Sequence, residues 1–440
     1  MSLIERFSAV LDRLRLRPGP ALVAVSGGLD SVVLLDLLRQ VADRTGLELV
    51  VAHADHGIAS VSGEVAGRVE ALAREFGLRA VVGRLALGPD ASETTARTAR
   101  HRWLEQTRKE LAARYIFLAH HAEDQAETVL MRLLRGSGPA GLAGMAVRRG
   151  PLVRPLLPFN RSTLLGYARA RGLSWWEDPA NRDSRHLRSW LRHELFPLLV
   201  ARLPDVERRL RDAGRHARAD RSAWSRALMS WPGLDYRPEK RGGSVAWRAL
   251  SALPRPVGVA LALALLRRAG APASPTRLRG ALGTLAALES GATADLGRGW
   301  RLELAFGRLR VLPPGVTVPE AVPLAGRKGE TAWGAWRVRW TPEAAPTTQP
   351  RDGPTAWFIP GSLTLRSWKE GDRVAPLGGR GRRLAVRCFQ DARVPSSARR
   401  HWPMLEGDGE LAWIPGVCRS NRLVPDAGAP AVRVDVEPRG

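Results

Sequence analysis

The amino-acid sequence predicts an α/β fold: a doubly wound parallel sheet, followed by a helical domain and a small α+β C-terminal domain. Three observations lead there. Through residue 135, apolar strand-like runs alternate with segments of helical periodicity, the order that builds a parallel sheet covered by helices. A polar Gly-Gly turn ends the first run and opens a helix-patterned segment. From about Ser230 the pattern changes to Ala/Leu-rich helical stretches and then to short strands broken by Gly and Pro.

In chain order, the strand-like runs are Ala21–Val25, Leu47–Ala52, Arg79–Leu85 and Tyr115–Ala119. Helical patterns follow them at Leu29–Ala42, Val61–Phe76, Ala96–Ala113 and Asp124–Arg135. Beyond Gly150 come an apolar run, Leu152–Leu157, a helix over Asn160–Arg171, and a basic stretch leading to a polar helix around Asp205–Arg226. Pro-rich segments at Leu312–Pro323 and Thr341–Pro354 read as linkers. The expected domains are therefore 1–205, 206–323 and 355–440, in keeping with roughly one domain per 150 residues.

In Ser26-Gly27-Gly28-Leu29-Asp30-Ser31, strand, tight loop and helix start follow one another. That geometry gathers free backbone N–H groups and a helix dipole around an anion. Gly27 and Gly28 allow close approach of a phosphate, and Ser26 and Ser31 add hydroxyls. A Gly-Gly turn alone would account for the glycines, but not for a serine on each side and an acid within. The loop lacks the lysine of a Walker A motif.

Composition sets the surroundings. The 440 residues carry a net charge of +25, and only four of the 68 basic residues are Lys. Codon bias explains the choice of Arg, but not the excess of cations over carboxylates. Self-repulsion on that scale favours a polyanionic partner, nucleic acid in the first place. Two cysteines, Cys388 and Cys418, offer no metal-binding spacing and fit a reducing cytoplasm. The longest apolar run, Val257–Leu266, is too short to cross a bilayer, so no membrane partner is expected.

Three further clusters fall at the ends of the predicted strands. His53 and Asp55 share one face at the end of the second run. Asp124, Glu127 and Thr128 share a helical face after the fourth, and Glu93, Arg97 and Arg100 share another. Singly, each reads as dipole pairing or a surface ion pair. Together they converge on the crevice where such sheets bind ligands.

With these clusters in view, the loop resembles that of the PP-loop ATP pyrophosphatases, with their adenine nucleotide alpha-hydrolase-like sheet. The full set of motifs resembles the tRNA(Ile)-lysidine synthetase family. It comprises Ser26–Ser31, His53-x-Asp55-His56-Gly57, Glu93-x-x-x-Arg97-x-x-Arg100, and His120-His121-x-x-Asp124-Gln125-x-Glu127-Thr128. Arg132-x-x-Arg135-Gly136-x-Gly138, Arg154-Pro155-Leu156-Leu157, Glu177-Asp178-Pro179-x-Asn181 and Arg188-x-x-x-Arg192-x-x-x-x-Pro197 continue it. Gly371-Asp372-Arg373, Phe389-x-Asp391 and Pro415-Gly416 close it. The likeness is dense to Leu199 and sparse from Ser230 to Pro354. Departures are His101 where the family usually has an aromatic, Ser189 where it usually has Asn, Ala54 where Val is common and Glu123 where Asp is frequent.

The resemblance implies a ligase that joins free L-lysine to C2 of the wobble cytidine in the CAU-anticodon isoleucine tRNA. ATP is consumed through an adenylated tRNA. It also implies roles. Ser26, Gly27, Gly28, Leu29, Asp30 and Ser31 hold ATP, with His53 and Asp55 nearby. Asp30 is placed on Mg²⁺, Arg97 on the α-phosphate, and Asp124 and Glu127 on lysine. Arg188, Arg192, Arg373, Arg380, Arg382 and Arg383 are expected to contact tRNA. From Arg366 to Arg400 there are ten basic residues against three acidic, with Trp368, Phe389 and Trp402 nearby, a pattern that suits an RNA surface. A PP-loop tRNA thiolase would need paired cysteines, and a non-catalytic RNA-binding protein would not keep these acids. The oligomeric state is left open, a homodimer among the options.

Overall fold

The computed structural model describes residues 1–55, 62–85, 87–88, 93–176, 187–239, 242–287, 291–315 and 317–439, with Ser62 and Glu93 by their backbone alone. His56-Gly57, the Glu93 carboxylate and Glu177–Asn181 thus lie outside the described residues. Two compact units divide the chain, Met1–Ser222 and Ala223–Gly440.

The first unit begins with α1 (Leu3–Leu14), closed at its start by a Ser2–Glu5 capping box. β1 (Gly19–Ala24), α2 (Leu29–Thr45), β2 (Leu47–Asp55), α3 (Ser62–Glu75), β3 (Arg79–Arg84), α4 (Glu93–Glu110), β4 (Tyr115–Phe117) and α5 (Ala122–Leu134) follow. β5 (Arg148–Arg149), β6 (Leu152–Val153), α6 (Arg161–Ala170), α7 (Leu187–Trp190) and α8 (Phe196–Arg202) come next, with a π-helical turn, Leu191–Leu195, between the last two, and the helix Val206–Ser230 begins in this unit. Each of the four predicted strands begins within two residues of its expected start.

The sheet order is β3-β2-β1-β4-β6-β5, all parallel except the β5 edge. Ala21, Leu22 and Val23 are buried because a central parallel strand is covered on both faces. α2 shares the same apolar core, burying Val33, Leu34, Leu37, Leu38 and Val41. The one acid in that core, Asp36, accepts from the Tyr167 hydroxyl at 2.7 Å, from Arg39 at 3.0 Å and from Arg171 at 3.3 Å, so its burial is compensated. The chain runs from β1 outward to β2 and β3 on one side and to β4 and β6 on the other. The crevice of such a sheet lies where that order reverses, at the carboxyl ends of β1 and β4.

The second unit is largely antiparallel. Helices Arg255–Ala269 and Pro275–Ala286 share one apolar cluster with strands Gly242–Ala246, Thr293–Gly297, Trp300–Ala305 and Arg308–Leu312. In the C-terminal part, Trp336–Ala344 pairs residue for residue with Pro430–Pro438. The first four residues of the stretch read as a linker, Thr341 to Ala344, are therefore strand. Pairing across some ninety residues, here Thr341 with Arg433, leaves no local trace beside prolines. Among the described residues no helix is long and apolar enough to cross a membrane.

Candidate active site

The loop after β1 is tightly self-bonded. Gly27 has φ +85°, and a Cβ there would approach Val65 Cγ1 to 3.2 Å, so both backbone and space call for glycine. Its carbonyl accepts the Trp176 N–H at 2.8 Å. The Ser31 hydroxyl donates to Gly28 O at 2.9 Å and accepts the Ser26 N–H at 3.1 Å. Leu29 points into the core, 4 % exposed, so only its backbone can face a ligand. The N–H groups of Leu29 and Asp30 open α2, where a helix supplies no internal acceptor.

Asp30 belongs to the first turn of α2 rather than to the loop. Its Oδ2 lies 3.6 Å from His121 Nε2, and its Oδ1 lies 4.0 Å from Arg161 Nε. Burial pushes its carboxyl above the usual range, against the pull of His121 and Arg161. Oδ1 is buried and accepts no hydrogen bond among the described residues. A hard oxygen donor left unsatisfied in this way fits Mg²⁺. His53 is buried on β2, its Nδ1 2.8 Å from Val25 O. The carbonyl can only accept, so Nδ1 carries a proton. Asp55 ends the same strand.

His121, at the start of α5, stands among three carboxylates. Its Nδ1 is 2.9 Å from Glu123, and its Nε2 is 3.5 Å from Asp124 and 3.6 Å from Asp30. Its backbone N–H donates to Asp124 Oδ2 at 3.0 Å. Burial works against its charge, but the Glu123 hydrogen bond and the charges of Asp124, Asp30 and Glu123 prevail and raise its pKa. A raised pKa stabilises the fold below the unfolded value of about 6.5 and is lost as pH climbs through the folded value. Wild-type Tm should therefore fall over that interval, and His121→Gln should flatten this part of a Tm-against-pH curve. A profile unchanged by the substitution would remove His121 from this role.

His121 belongs to the motif after β4, and nothing local in the sequence assigns it a role. Its only local signal is a His-His pair directly before an acidic helix start. Glu123 also accepts the Arg161 N–H at 3.0 Å, which ties α5 to the start of α6.

Asp124 and Glu127 are both buried, 8 % and 2 % exposed. Two arginines grip them. Arg188 donates from Nε to Glu127 at 2.7 Å and from Nη2 to Asp124 at 2.9 Å. Arg192 donates from Nε to Glu127 at 2.6 Å and from Nη2 to Asp124 at 2.9 Å. Guanidiniums four residues apart thus face carboxylates three apart, two charges against two. Burial opposes ionisation of Asp124, yet His121, Arg188 and His120 hold its carboxyl well below the usual range. Arg192 lies in the π-helical turn, an irregularity frequent at functional sites. The two arginines expected on tRNA therefore sit at the carboxylates expected to receive lysine. Thr128 donates to Asp124 O at 2.7 Å, which occupies its hydroxyl locally.

Arg97 projects from α4, and its charge helps depress the pKa of His101, His120 and Arg154. Burial, Arg100, Arg97 and Arg154 bring His101 down to about 4. It is uncharged at neutral pH, a fair replacement for an aromatic ring. In the second unit, Arg373, Arg380, Arg382 and Arg383 are all exposed. Arg382 pairs with Glu410 at 2.7 Å and Arg383 with Asp391 at 2.6 Å. The neighbouring aromatics are core rather than a stacking surface: Phe389 is fully buried, with Trp368 and Trp402 packed against its cluster.

Residues 4–199 match the PP-loop domain family, and residues 363–436 match the TilS substrate C-terminal domain. The tRNA(Ile)-lysidine synthase of Symbiobacterium thermophilum is 33 % identical over 98 % of this chain and 98 % of its own. That of Pseudomonas aeruginosa is 33 % identical over 90 % of each chain. With a PP-loop at the crevice and near full-length likeness to these relatives, the chain belongs to the tRNA(Ile)-lysidine synthase family.

Proposed function

We propose that the carboxyl edge of the parallel sheet catalyses both half-reactions of lysidine formation in the CAU-anticodon isoleucine tRNA. The observation that carries this is the contact chain Asp30–His121–Asp124. It connects the phosphate-binding end of α2 to a buried carboxylate pair through contacts of 3.5 and 3.6 Å. A nucleotide site and an ammonium site side by side are what a two-step ligation requires.

In the first step the C2 oxygen of the wobble cytidine attacks the α-phosphate of ATP, and pyrophosphate leaves. Ser26–Ser31 hold the phosphates through backbone N–H groups and the α2 dipole. Asp30 would hold Mg²⁺, which supplies charge neutralisation for the phosphates when bound. Arg97 faces the α-phosphate with a fork that matches its geometry, and His53 and Asp55 line the nucleotide side. In the second step the ε-amine of lysine attacks C2, the C2–O bond breaks and AMP leaves. Asp124, kept ionised by its neighbours, suits an electrostatic receptor for the ammonium. Glu127 is then left to take the proton. Arg188 and Arg192 give up part of their hold when lysine enters, because one ammonium replaces guanidinium charge on the same carboxylates. Residues 1–205 carry this chemistry, and 206–323 and 355–440 hold the tRNA.

The test is direct. Incubation with ATP, radiolabelled lysine and separate transcripts of CAU-anticodon isoleucine and methionine tRNAs should label the isoleucine tRNA alone, and only when ATP is present. Absence of label in that tRNA would overturn the proposal.

A further inference from the structure

At the opposite edge of the parallel sheet lies an open cleft of about 480 Å³, lined by Arg15, Arg17, Arg114, Tyr115 and Arg148. Parallel topology fixes its place. Arg17 comes two residues before β1, and Arg114 directly precedes β4. Ser26–Ser31 and His121 follow those same two strands, so cleft and active site are at opposite strand ends.

All four arginines are exposed, and among the described residues none forms an ion pair. Uncharged groups position Arg148 and Arg114 instead. Arg148 donates to Leu14 O at 3.1 Å, and its guanidinium lies 5.3 Å from the Tyr115 ring centroid. Arg114 crosses Gly19, where a Cβ would come within 3.1 Å of its Nε. The Arg17 N–H donates to the Tyr115 hydroxyl at 2.9 Å, so that hydroxyl can turn its own proton outward. By contrast, Arg44 of α2 is matched by Asp12 of α1 at 3.1 Å. Four like charges around one cleft repel one another, and only anions relieve this. Guanidinium forks match phosphate in shape as well as charge.

We propose that this cleft binds the phosphate backbone of the tRNA, as an anchor separate from the reacting anticodon. It is open and drawn from three separate chain segments, which suits a passing strand better than an enclosed small anion. The proposal rests on the tRNA substrate of the family.

Arg15 and Arg17, whose side chains form no hydrogen bond or ion pair among the described residues, provide the test, as Arg15→Gln/Arg17→Gln in the full chain. The control, Arg74→Gln/Arg79→Gln, removes the same charge from exposed positions on α3 and β3. Each lost phosphate contact lowers the slope of log K against log salt by about 0.7 to 0.9. For two contacts the slope should drop by about 1.4 to 1.8, and affinity at 0.1 M salt should fall about 25- to 60-fold. ATP binding should match wild type, which also reports correct folding. A cleft variant whose tRNA affinity and slope equal the control's overturns the proposal. So does tripolyphosphate binding that the cleft variant loses while its tRNA affinity stays unchanged, which would assign a small-anion site. Wild-type protein that binds no tRNA at any salt overturns the substrate reading, and the anchor with it.

Discussion

Asp30→Ala should cut tRNA-dependent pyrophosphate release by about 10- to 150-fold, the rate equivalent of losing one charge-assisted contact of roughly 1.5–3 kcal/mol. The loss should be larger where a metal position goes with it. Stability should move the other way. Burial raises the Asp30 carboxyl pKa, and an acid with a raised folded pKa is ionised at neutral pH at the expense of the fold. Removing it should leave Tm unchanged or higher, as expected of a group retained for function. Pyrophosphate release assays and thermal unfolding on the same preparation decide the matter. Release within about threefold of wild type, or a marked fall in Tm, would make Asp30 a structural residue.

Glu127→Gln should separate the two half-reactions. Gln keeps the shape and one acceptor oxygen but loses the charge that faces Arg188, Arg192 and, in the proposed mechanism, the lysine ammonium. The KM for lysine should rise or the transfer rate fall by about 10- to 150-fold, again the worth of a charge-assisted contact. Pyrophosphate release should change much less, so adenylated tRNA should accumulate in a single-turnover experiment. Removing one partner of a buried pair can also cost stability, up to about 3–5 kcal/mol when the pair is fully broken. Tm must therefore be read alongside, and Arg192→Gln, whose side chain is 43 % exposed, gives a second, milder probe of the same contact. Equal loss of both half-reactions in a folded Glu127→Gln protein would place the carboxylate on the nucleotide instead.

Much of the catalytic unit was legible from local pattern. Strand and helix in the first half follow hydrophobic period, and the period sets which face of each segment can be buried. The Ser26–Ser31 loop announces itself because glycine at a positive φ and serine beside a helix start are local requirements. The carboxylates of α5 are legible for the same reason, since residues 124 and 127 share a helical face by geometry alone. Motif order then sufficed for the family, because these short segments are each local.

What the chain could not declare was which distant groups those carboxylates meet. In sequence Arg188 and Arg192 belong to a basic stretch that resembles any other and names no partner. Their forks close on Asp124 and Glu127 across 61 to 68 residues. His121 reaches Asp30 only because β1 and β4 are neighbours in the sheet. The aromatic residues around Arg373–Arg383 turned inward because an isolated C-terminal core needs their area more than a surface does. Local sequence determined the elements, the phosphate loop and the acids. Tertiary structure alone decided the partners of those acids, the pairing of Trp336–Ala344 with Pro430–Pro438, and the arginine cleft. Period and φ are properties of a few consecutive residues, whereas charge pairing and strand pairing follow from where the whole chain brings its segments together.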